Sequence, residues 1–206
     1  MKFYNSRGPN PRMVRMFMAE KGIDNIPKVE VDLLAGENRR EPYVTEVNPA
    51  GQMPALELDD GTVIAEITAI CEYLDEVKKD APSLIGDTPA ERAATRMWTR
   101  RVDLNIVEPA LNGFRFAEGL KLFQNRVRCI PDAADGLKAT ARDKLGWLEG
   151  LMGAKTYIAG DKLSMADIFL FPMLDFLKTV GQPIDPAHKN LTAWYDRMKA
   201  RPSAAA

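Results

Sequence analysis

Two stretches of this 206-residue chain carry residue types and spacings that could hold a small charged ligand. The first is the junction at Glu66-Ile67. Ile67, Ile70, Cys71 and Leu74 fall at i, i+3, i+4 and i+7, which predicts a helix opening at Ile67. The first N–H groups of a helix lack internal acceptors, and the helix dipole adds partial positive charge there. A carboxylate can sit on that end, and Glu66, one residue ahead, can hold an ammonium beside it. The second stretch is Met53-Pro54. A strand entry with a free backbone edge can pair with an extended peptide, and a cis bond at Pro54 would turn that edge outward. The two together suit a small peptide-like ligand with an α-amino acid head.

Local elements must bring these residues to one place. Asp59-Asp60-Gly61 is a turn signal between strand candidates at 55–58 and 62–65, so a hairpin feeds the helix at Ile67. Upstream, Lys2 to Asn5 reads as a short strand. Ser6 to Pro11 reads as a loop of turn residues, and Asn10-Pro11 as a helix start with Asn10 in the N-cap position. Met13, Val14, Phe17 and Met18 then form one helical face ending near Gly22, and Lys28 to Leu33 alternates as a strand. The charged segment 37–46 suits a short exposed helix or an irregular loop.

Residues 80–89, with Pro82, Gly86 and Pro89, read as a linker between a domain at 1–79 and one at 90–206. The second half shows helical periodicity only. A long helix is expected from Ala90 to about Gln124, with Trp98, Val102, Leu104 and Leu111 apolar and Pro109 kinking or ending it. A second is expected over 132–151, with Leu137, Leu145, Trp147 and Leu148. Ser164 and Asp167 have capping-box spacing ahead of an apolar helix at 169–177 that contains Pro172, and a last helix is expected over 191–199. The fold class is therefore α/β plus all-α.

Net charge of −1 with interspersed acids and bases, and no basic stripe, points away from nucleic acid. Cys71 and Cys129 lack CxxC spacing, which fits a reducing compartment, and Cys71 falls on an apolar helix face. The opening MKFYNS reads as a strand rather than a signal peptide, and no apolar run reaches membrane-spanning length. A cytoplasmic location without membrane partners is expected. With one histidine, His188, neither a catalytic triad nor a metal site is expected.

The string N-P-x-G-x-x-P-x-L-x-x-D-D-G-x-x-x-x-E-x-x-A-I-x-x-Y-L over residues 48–74 resembles the glutathione-binding half of the glutathione transferases. The resemblance runs over nearly the whole chain. It implies a thioredoxin-like N-terminal domain, a C-terminal helical bundle, glutathione as co-substrate and a homodimer, with no metal. The family's S-x-A-D at 164–167 serves folding. Gly8-Pro9-Asn10 is similar to the first-helix motif of bacterial nu-class members, although Gly8 and Pro11 depart from that pattern.

What the resemblance implies for the site follows residue by residue. The thiolate donor is to be chosen among Tyr4, Ser6 and Asn10; Asn10 is preferred, Ser6 stands second, and Tyr4 suits packing within its strand. An amide can donate to a thiolate without acting as a base. Met53 would bond the cysteinyl part through its backbone beside a cis Pro54, and Glu66 would hold the γ-glutamyl amine. Ile67 stands where the family has serine or threonine, which removes one hydrogen bond to the γ-glutamyl carboxylate; Thr68 could compensate. Gln52, with Arg39 or Arg40, would face the glycine carboxylate. Asp103 could reach a partner subunit's glutathione. Trp98, Arg101, Asn105 and Phe114 are candidates for a second-substrate pocket between the halves. The activity implied is transfer of the thiolate to an electrophilic carbon or to a small disulfide. A non-catalytic binding module like the stringent starvation proteins is the alternative, and a glutathione-dependent isomerase or ether-cleaving enzyme a third.

Overall fold

The computed structural model describes residues 1–153 and 155–206. The described residues form two compact units, 1–85 with 202–206, and 86–201.

The first unit is built on a four-stranded sheet in the order β2-β1-β3-β4, with β1 Lys2–Asn5, β2 Lys28–Glu30, β3 Ala55–Glu57 and β4 Val63–Ala65. β1 runs parallel to β2 and antiparallel to β3, and β3 pairs antiparallel with β4. The parallel pair needs a crossover, supplied by α1 Pro9–Glu20; the Asp60-Gly61 turn closes the hairpin, and α3 Ile67–Val77 follows β4 directly. This is the expected thioredoxin-like order. α1 and α3 bury Met13, Val14, Phe17, Ile70, Cys71 and Leu74 completely, as their spacing requires. β2 ends at Glu30 rather than Leu33. The segment at 37–46 divides into a 3-10 turn at Glu37–Arg39 and a short α2 at Tyr43–Glu46, with Tyr43 buried. Inside the unit, Lys21 Nζ pairs with Asp75 at 3.0 Å and donates to the carbonyl of Pro82 at 3.0 Å. Asp75 in turn accepts from Leu84 N–H and the Ser83 hydroxyl, which ties residues 81–84 down. A 3-10 turn at Pro202–Ala205 packs on α1, where Arg12 donates to Ala204 O and Ser203 Oγ bonds Glu20.

The second unit is all-helical. α4 Pro89–Val102 opens with a capping box between Thr88 and Glu91. The helix expected from 90 to about 124, with a kink or end at Pro109, is interrupted just before that proline and again after Arg115. α4 passes into a π-helical segment at Asp103–Val107, then α5 Glu108–Arg115 and a short α6 Leu120–Phe123. Pro109 explains the first change. Its ring and missing N–H cannot close a normal turn onto Asn105, and the chain widens by one residue just before it. Leu104, one of the apolar positions, is half exposed at 50%; two residues past the buried Val102 it stands about 200° around the helix. α7 Ala134–Met152 buries Leu145 and Leu148 but leaves Trp147 exposed. α8 Met165–Thr179 opens on the Ser164–Asp167 capping box and accommodates the buried Pro172, and α9 Lys189–Lys199 follows. No helix among the described residues is long and apolar enough to cross a membrane.

Candidate functional site

Sheet register decides which residues of the first unit can meet. Tyr4 on β1 lies opposite Ala55 on β3, and Ala55 lies opposite Ala65 on β4. One step beyond this row, at the same end of the sheet, stand the loop opening at Ser6, the dipeptide Met53-Pro54, and Glu66. Strands are about 4.8 Å apart, so the row spans about 10 Å, the length of about three extended residues.

The first loop is anchored from beneath. Ser6 Oγ donates to the Val31 carbonyl at 2.7 Å. Arg15 of α1 donates to Asn5 Oδ1 at 2.6 Å and to the Ser6 carbonyl at 3.2 Å. Asn5 Nδ2 donates to Glu30 at 2.6 Å. Since its only hydroxyl hydrogen is engaged, Ser6 has none to offer a thiolate in this arrangement. Tyr4 is likewise occupied: its ring packs edge-on against Tyr43 and its hydroxyl donates to Glu57 at 2.7 Å. Burial, with the Glu57 hydrogen bond second, pushes the Tyr4 pKa up to about 12. α1 begins two residues earlier than expected, so Gly8, at φ 112°, takes the N-cap and Asn10 lies inside the first turn. Pro9 and Pro11 flank it and have no N–H. Asn10 therefore supplies the one backbone donor among the first three helical residues, and its half-buried side-chain amide has no partner among the described residues.

The second loop is clamped by side chains. Asn48 Oδ1 accepts from Ala50 N–H at 3.0 Å, while its Nδ2 donates to the Gln52 carbonyl at 3.1 Å. Tyr43 Oη donates to the same carbonyl at 2.7 Å. Buried Asn38 donates to Gly51 O at 2.5 Å, and Arg39 donates to Ala50 O at 3.2 Å. Gly51, at φ 59°, has no room for a side chain, since a Cβ would fall 2.8 Å from Asn38 O. The clamp fixes Met53, whose side chain is buried with Val31 and Tyr43 against Tyr4 and Val47. The Met53–Pro54 bond is cis. Neither the N–H nor the carbonyl of Met53 has a partner among the described residues, so that edge faces outward unpaired. Asn38 and Tyr43 are positioning residues that sequence reasoning missed. Neither type nor spacing marks them; only the folded loop does. Gln52 is exposed, and Arg40 bonds Ala35 O.

At the third position Glu66 holds φ 70° and is the only described non-glycine residue with positive φ. Such backbone strain persists where the surroundings impose it. The helix makes its first internal bond from Ile70 N–H to Glu66 O, leaving the N–H groups of Ile67, Thr68 and Ala69 without acceptors. The Thr68 hydroxyl and the exposed Glu66 carboxylate have no partner among the described residues. An anion acceptor and an ammonium acceptor thus stand side by side.

In the second unit, Trp98, Arg101 and Asn105 share one helix face. The Arg101 guanidinium lies 4.9 Å over the Trp98 ring, and Asn105 Nδ2 donates to Arg101 O at 2.8 Å. Lys155 Nζ also lies 4.8 Å from the ring centre of Trp98. Phe114 does not join them; it packs edge-on against Phe123 and Phe176. Asp103 pairs with Arg100 at 3.0 Å, and its burial pushes its pKa up. Among the described residues no cluster of His, Cys, Asp and Glu could hold a metal ion.

Residues 8–77 match the family model "Glutathione S-transferase, N-terminal domain", and residues 131–197 match "Glutathione S-transferase, C-terminal domain". The chain is 36% identical over 202 residues to Glutathione S-transferase 2 of Saccharomyces cerevisiae, covering 95% of this chain and 84% of that one. It is 30% identical over 200 residues to FtsZ-localized protein A of Caulobacter vibrioides, covering 94% and 84%. A crystal structure of a glutathione S-transferase domain-containing protein of Marinobacter aquaeolei superposes with TM-score 0.92 at 37% identity, covering 98% of this chain and 99% of that one.

Proposed function

The chain belongs to the glutathione S-transferase family, and on that premise we propose that it is a glutathione transferase whose binding residues are those gathered at one end of the sheet. The observation that carries this reading is the Tyr4–Ala55–Ala65 row, because it aligns the loop leading into α1, an unpaired peptide edge and a helix N-terminus at tripeptide spacing. The γ-glutamyl carboxylate accepts from Ile67 N–H, Thr68 N–H and the Thr68 hydroxyl, and its ammonium pairs with Glu66. The cysteinyl backbone pairs with Met53 across Pro54. Gln52 and Arg39 face the glycine carboxylate. The sulfur comes to Asn10, whose amide and backbone N–H both donate to it.

A free thiol titrates at about 8.5 and is mostly protonated near neutral pH. Donors and the positive end of α1 stabilise the thiolate and lower that value. The thiolate then attacks an electrophilic carbon, forming a C–S bond and expelling the leaving group with its electron pair. Attack on a disulfide is the second route and releases the other sulfur as a thiolate. The nu-like motif at Gly8-Pro9-Asn10 favours that route; with no cysteine in the loop it needs a second glutathione to resolve the mixed disulfide. Trp98, Arg101 and Asn105 are the residues for the second substrate. We place the protein in the cytoplasm as a homodimer, and sedimentation at micromolar concentration showing only monomer would overturn the latter.

Similarity to FtsZ-localized protein A, and Ile67 at a position that ordinarily carries a hydroxyl, favour one rival: a protein-binding module without catalysis. Calorimetric titration separates the two. Saturable binding of reduced glutathione, with turnover of a chlorodinitrobenzene, supports the transferase. Tight binding of oxidised glutathione supports disulfide reduction. A folded protein that binds neither is the binding module.

A further inference from the structure

The residues assigned to the second substrate belong to a cluster that carries positive charge the protein does not balance. α4 presents Trp98 and, three residues on, Arg101; α7 presents Lys144 and, three residues on, Trp147. Each of these cations therefore shares a helix face with an indole. The two indoles are neighbours, with ring centroids 6.2 Å apart and planes tilted by 37°. The Arg101 guanidinium stands 4.9 Å and Lys155 Nζ 4.8 Å from the centre of Trp98. Lys144 Nζ stands 5.7 Å from the centre of Trp147.

None of these three cationic side chains has a carboxylate or hydrogen-bond partner among the described residues. The acids close by in the chain are engaged elsewhere. Asp103 pairs with Arg100 at 3.0 Å. Glu149 caps α9, accepting from Asn190 N–H at 3.0 Å and from Leu191 N–H at 2.8 Å. Asp143, beside Lys144 in sequence, is exposed and makes no ion pair with any of the three. A cation over an indole face is held weakly but favourably. Two cations on one ring repel each other, and Arg101 and Lys155 share Trp98. An anion within reach of both removes that repulsion and accepts a charge-assisted hydrogen bond from each. Trp98 is only 7% exposed, whereas Trp147 is 38% exposed, so Trp147 is the indole with surface left for a flat ligand.

We propose that the second substrate is an aromatic electrophile bearing a carboxylate, with the carboxylate on Arg101 and Lys155 and the ring against Trp147. This rests on the transferase reading and on Trp98 and Arg101 as second-substrate residues. With an aryl chloride, the glutathione thiol first loses its proton to solvent. The thiolate then attacks the ring carbon that bears chlorine, the C–S bond forms, and the C–Cl bond breaks with chloride taking the electron pair. The carboxylate stays ionised and takes no part in the bond changes.

The probes are 4-chloro-3,5-dinitrobenzoate and its methyl ester, which undergo the same displacement and differ in head-group charge. With glutathione saturating, each kcat/KM is divided by the rate constant of the uncatalysed reaction with glutathione. The normalised value for the benzoate should exceed that for the ester at least tenfold, with the advantage in KM. Arg101→Gln with Lys155→Gln should bring the two values within about twofold, and saturable glutathione binding checks that this variant is folded. Lys155→Arg keeps the charge and should keep the preference. For the unaltered protein, raising NaCl from about 0.05 M to about 0.5 M should cut the benzoate advantage at least threefold, since half-exposed charges are screened. Turnover of neither probe would overturn the conjugation reading and this proposal with it. Turnover of both with normalised values about equal, a preference that survives in the double variant, or one indifferent to salt would overturn this proposal alone.

Discussion

Ser6 donates its hydroxyl hydrogen to the Val31 carbonyl at 2.7 Å, which ties the loop after β1 to the chain leaving β2. That bond separates the roles of Ser6 in the loop and Asn10 in the first turn of α1. Ser6→Ala removes a buried hydrogen bond and leaves the Val31 carbonyl without its donor, a loss of about 1–2 kcal/mol of stability with turnover retained. Asn10→Ala removes an amide with no partner among the described residues, so stability should hold within about 0.5 kcal/mol while turnover falls at least tenfold. Asn10→Asp tests the same role by sign. A like charge beside the sulfur disfavours the thiolate, so the acidic limb of the pH–rate profile should move to higher pH. If Ser6→Ala abolishes turnover and Asn10→Ala does not, the donor is misassigned.

Glu66 holds an unfavourable backbone conformation, φ 70° and ψ 128°, and its carboxylate has no partner among the described residues. Glycine adopts such a φ without the steric penalty. Glu66→Gly should therefore raise unfolding stability by about 1 kcal/mol, the relief of strain less the extra freedom of the unfolded chain. It should also weaken glutathione binding, because the ammonium loses its counter-charge. Glu66→Ala keeps the strain and loses the charge. Chemical denaturation and glutathione titration of both variants check the pair, and an unaltered affinity in both would remove Glu66 from the site.

Ile67 offers the helix N-terminus a backbone donor and no hydroxyl. Ile67→Ser adds one donor to an anionic ligand, worth about 1.5–3 kcal/mol. Glutathione affinity should rise on the order of tenfold or more. Thr68→Val should lower it, since the Thr68 hydroxyl is the one free hydroxyl in that first turn. A serine at 67 that leaves affinity unchanged would mean that the γ-glutamyl carboxylate does not reach this helix.

The sheet and the junction at Ile67 were legible because strand alternation, Asp60-Gly61 and the i, i+3, i+4, i+7 spacing are local signals. Two things were not. A break in the long helix beyond Ala90 is legible in Pro109, but the form of the break is not. The π-helical step that admits the proline leaves no mark in composition. The clamp on Met53 was also hidden, because Asn38 and Tyr43 reach Gly51 and Gln52 only after the segment at 37–46 has folded back. Asn10 itself was visible, but its setting was not. Placing it at the N-cap overlooked that Gly8 can take that position at φ 112°, which puts the asparagine between two prolines inside the turn.

Cys71 lies completely buried in α3, and burial, with Asp75 and Glu72 adding to it, pushes its thiol pKa well up. The thiolate is the reactive form, so native Cys71 should be inert to a thiol reagent at pH 8. Cys129 is only half-buried. One thiol per chain should titrate in the folded protein and two in denaturant, and Cys129→Ser should leave the folded protein unreactive. Rapid labelling of Cys71 in the native state would show that α3 opens far more readily than its buried face implies.

Asp167 is the polar centre of the helical unit. Fully buried, it accepts from Ser164 N–H at 3.0 Å, Ser164 Oγ at 2.8 Å, Ile158 N–H at 2.9 Å and Trp194 Nε1 at 2.8 Å. These four donors pull its pKa down, but burial is the larger effect and leaves it raised. Asp167→Asn turns an amide toward groups that need acceptors and should cost about 3 kcal/mol or more. The pH dependence has a defined sign. A carboxyl whose folded pKa is raised binds more protons folded than unfolded between its ordinary value, about 3.9, and the raised one. Stability from this group is therefore fully present below about pH 4 and declines as pH rises through the raised pKa. The gap between wild type and Asp167→Asn should be widest in acid and narrow toward neutrality. Urea denaturation of both proteins across that range checks it. A gap that widens with pH would mean that the four donors outweigh burial and hold Asp167 ionised throughout.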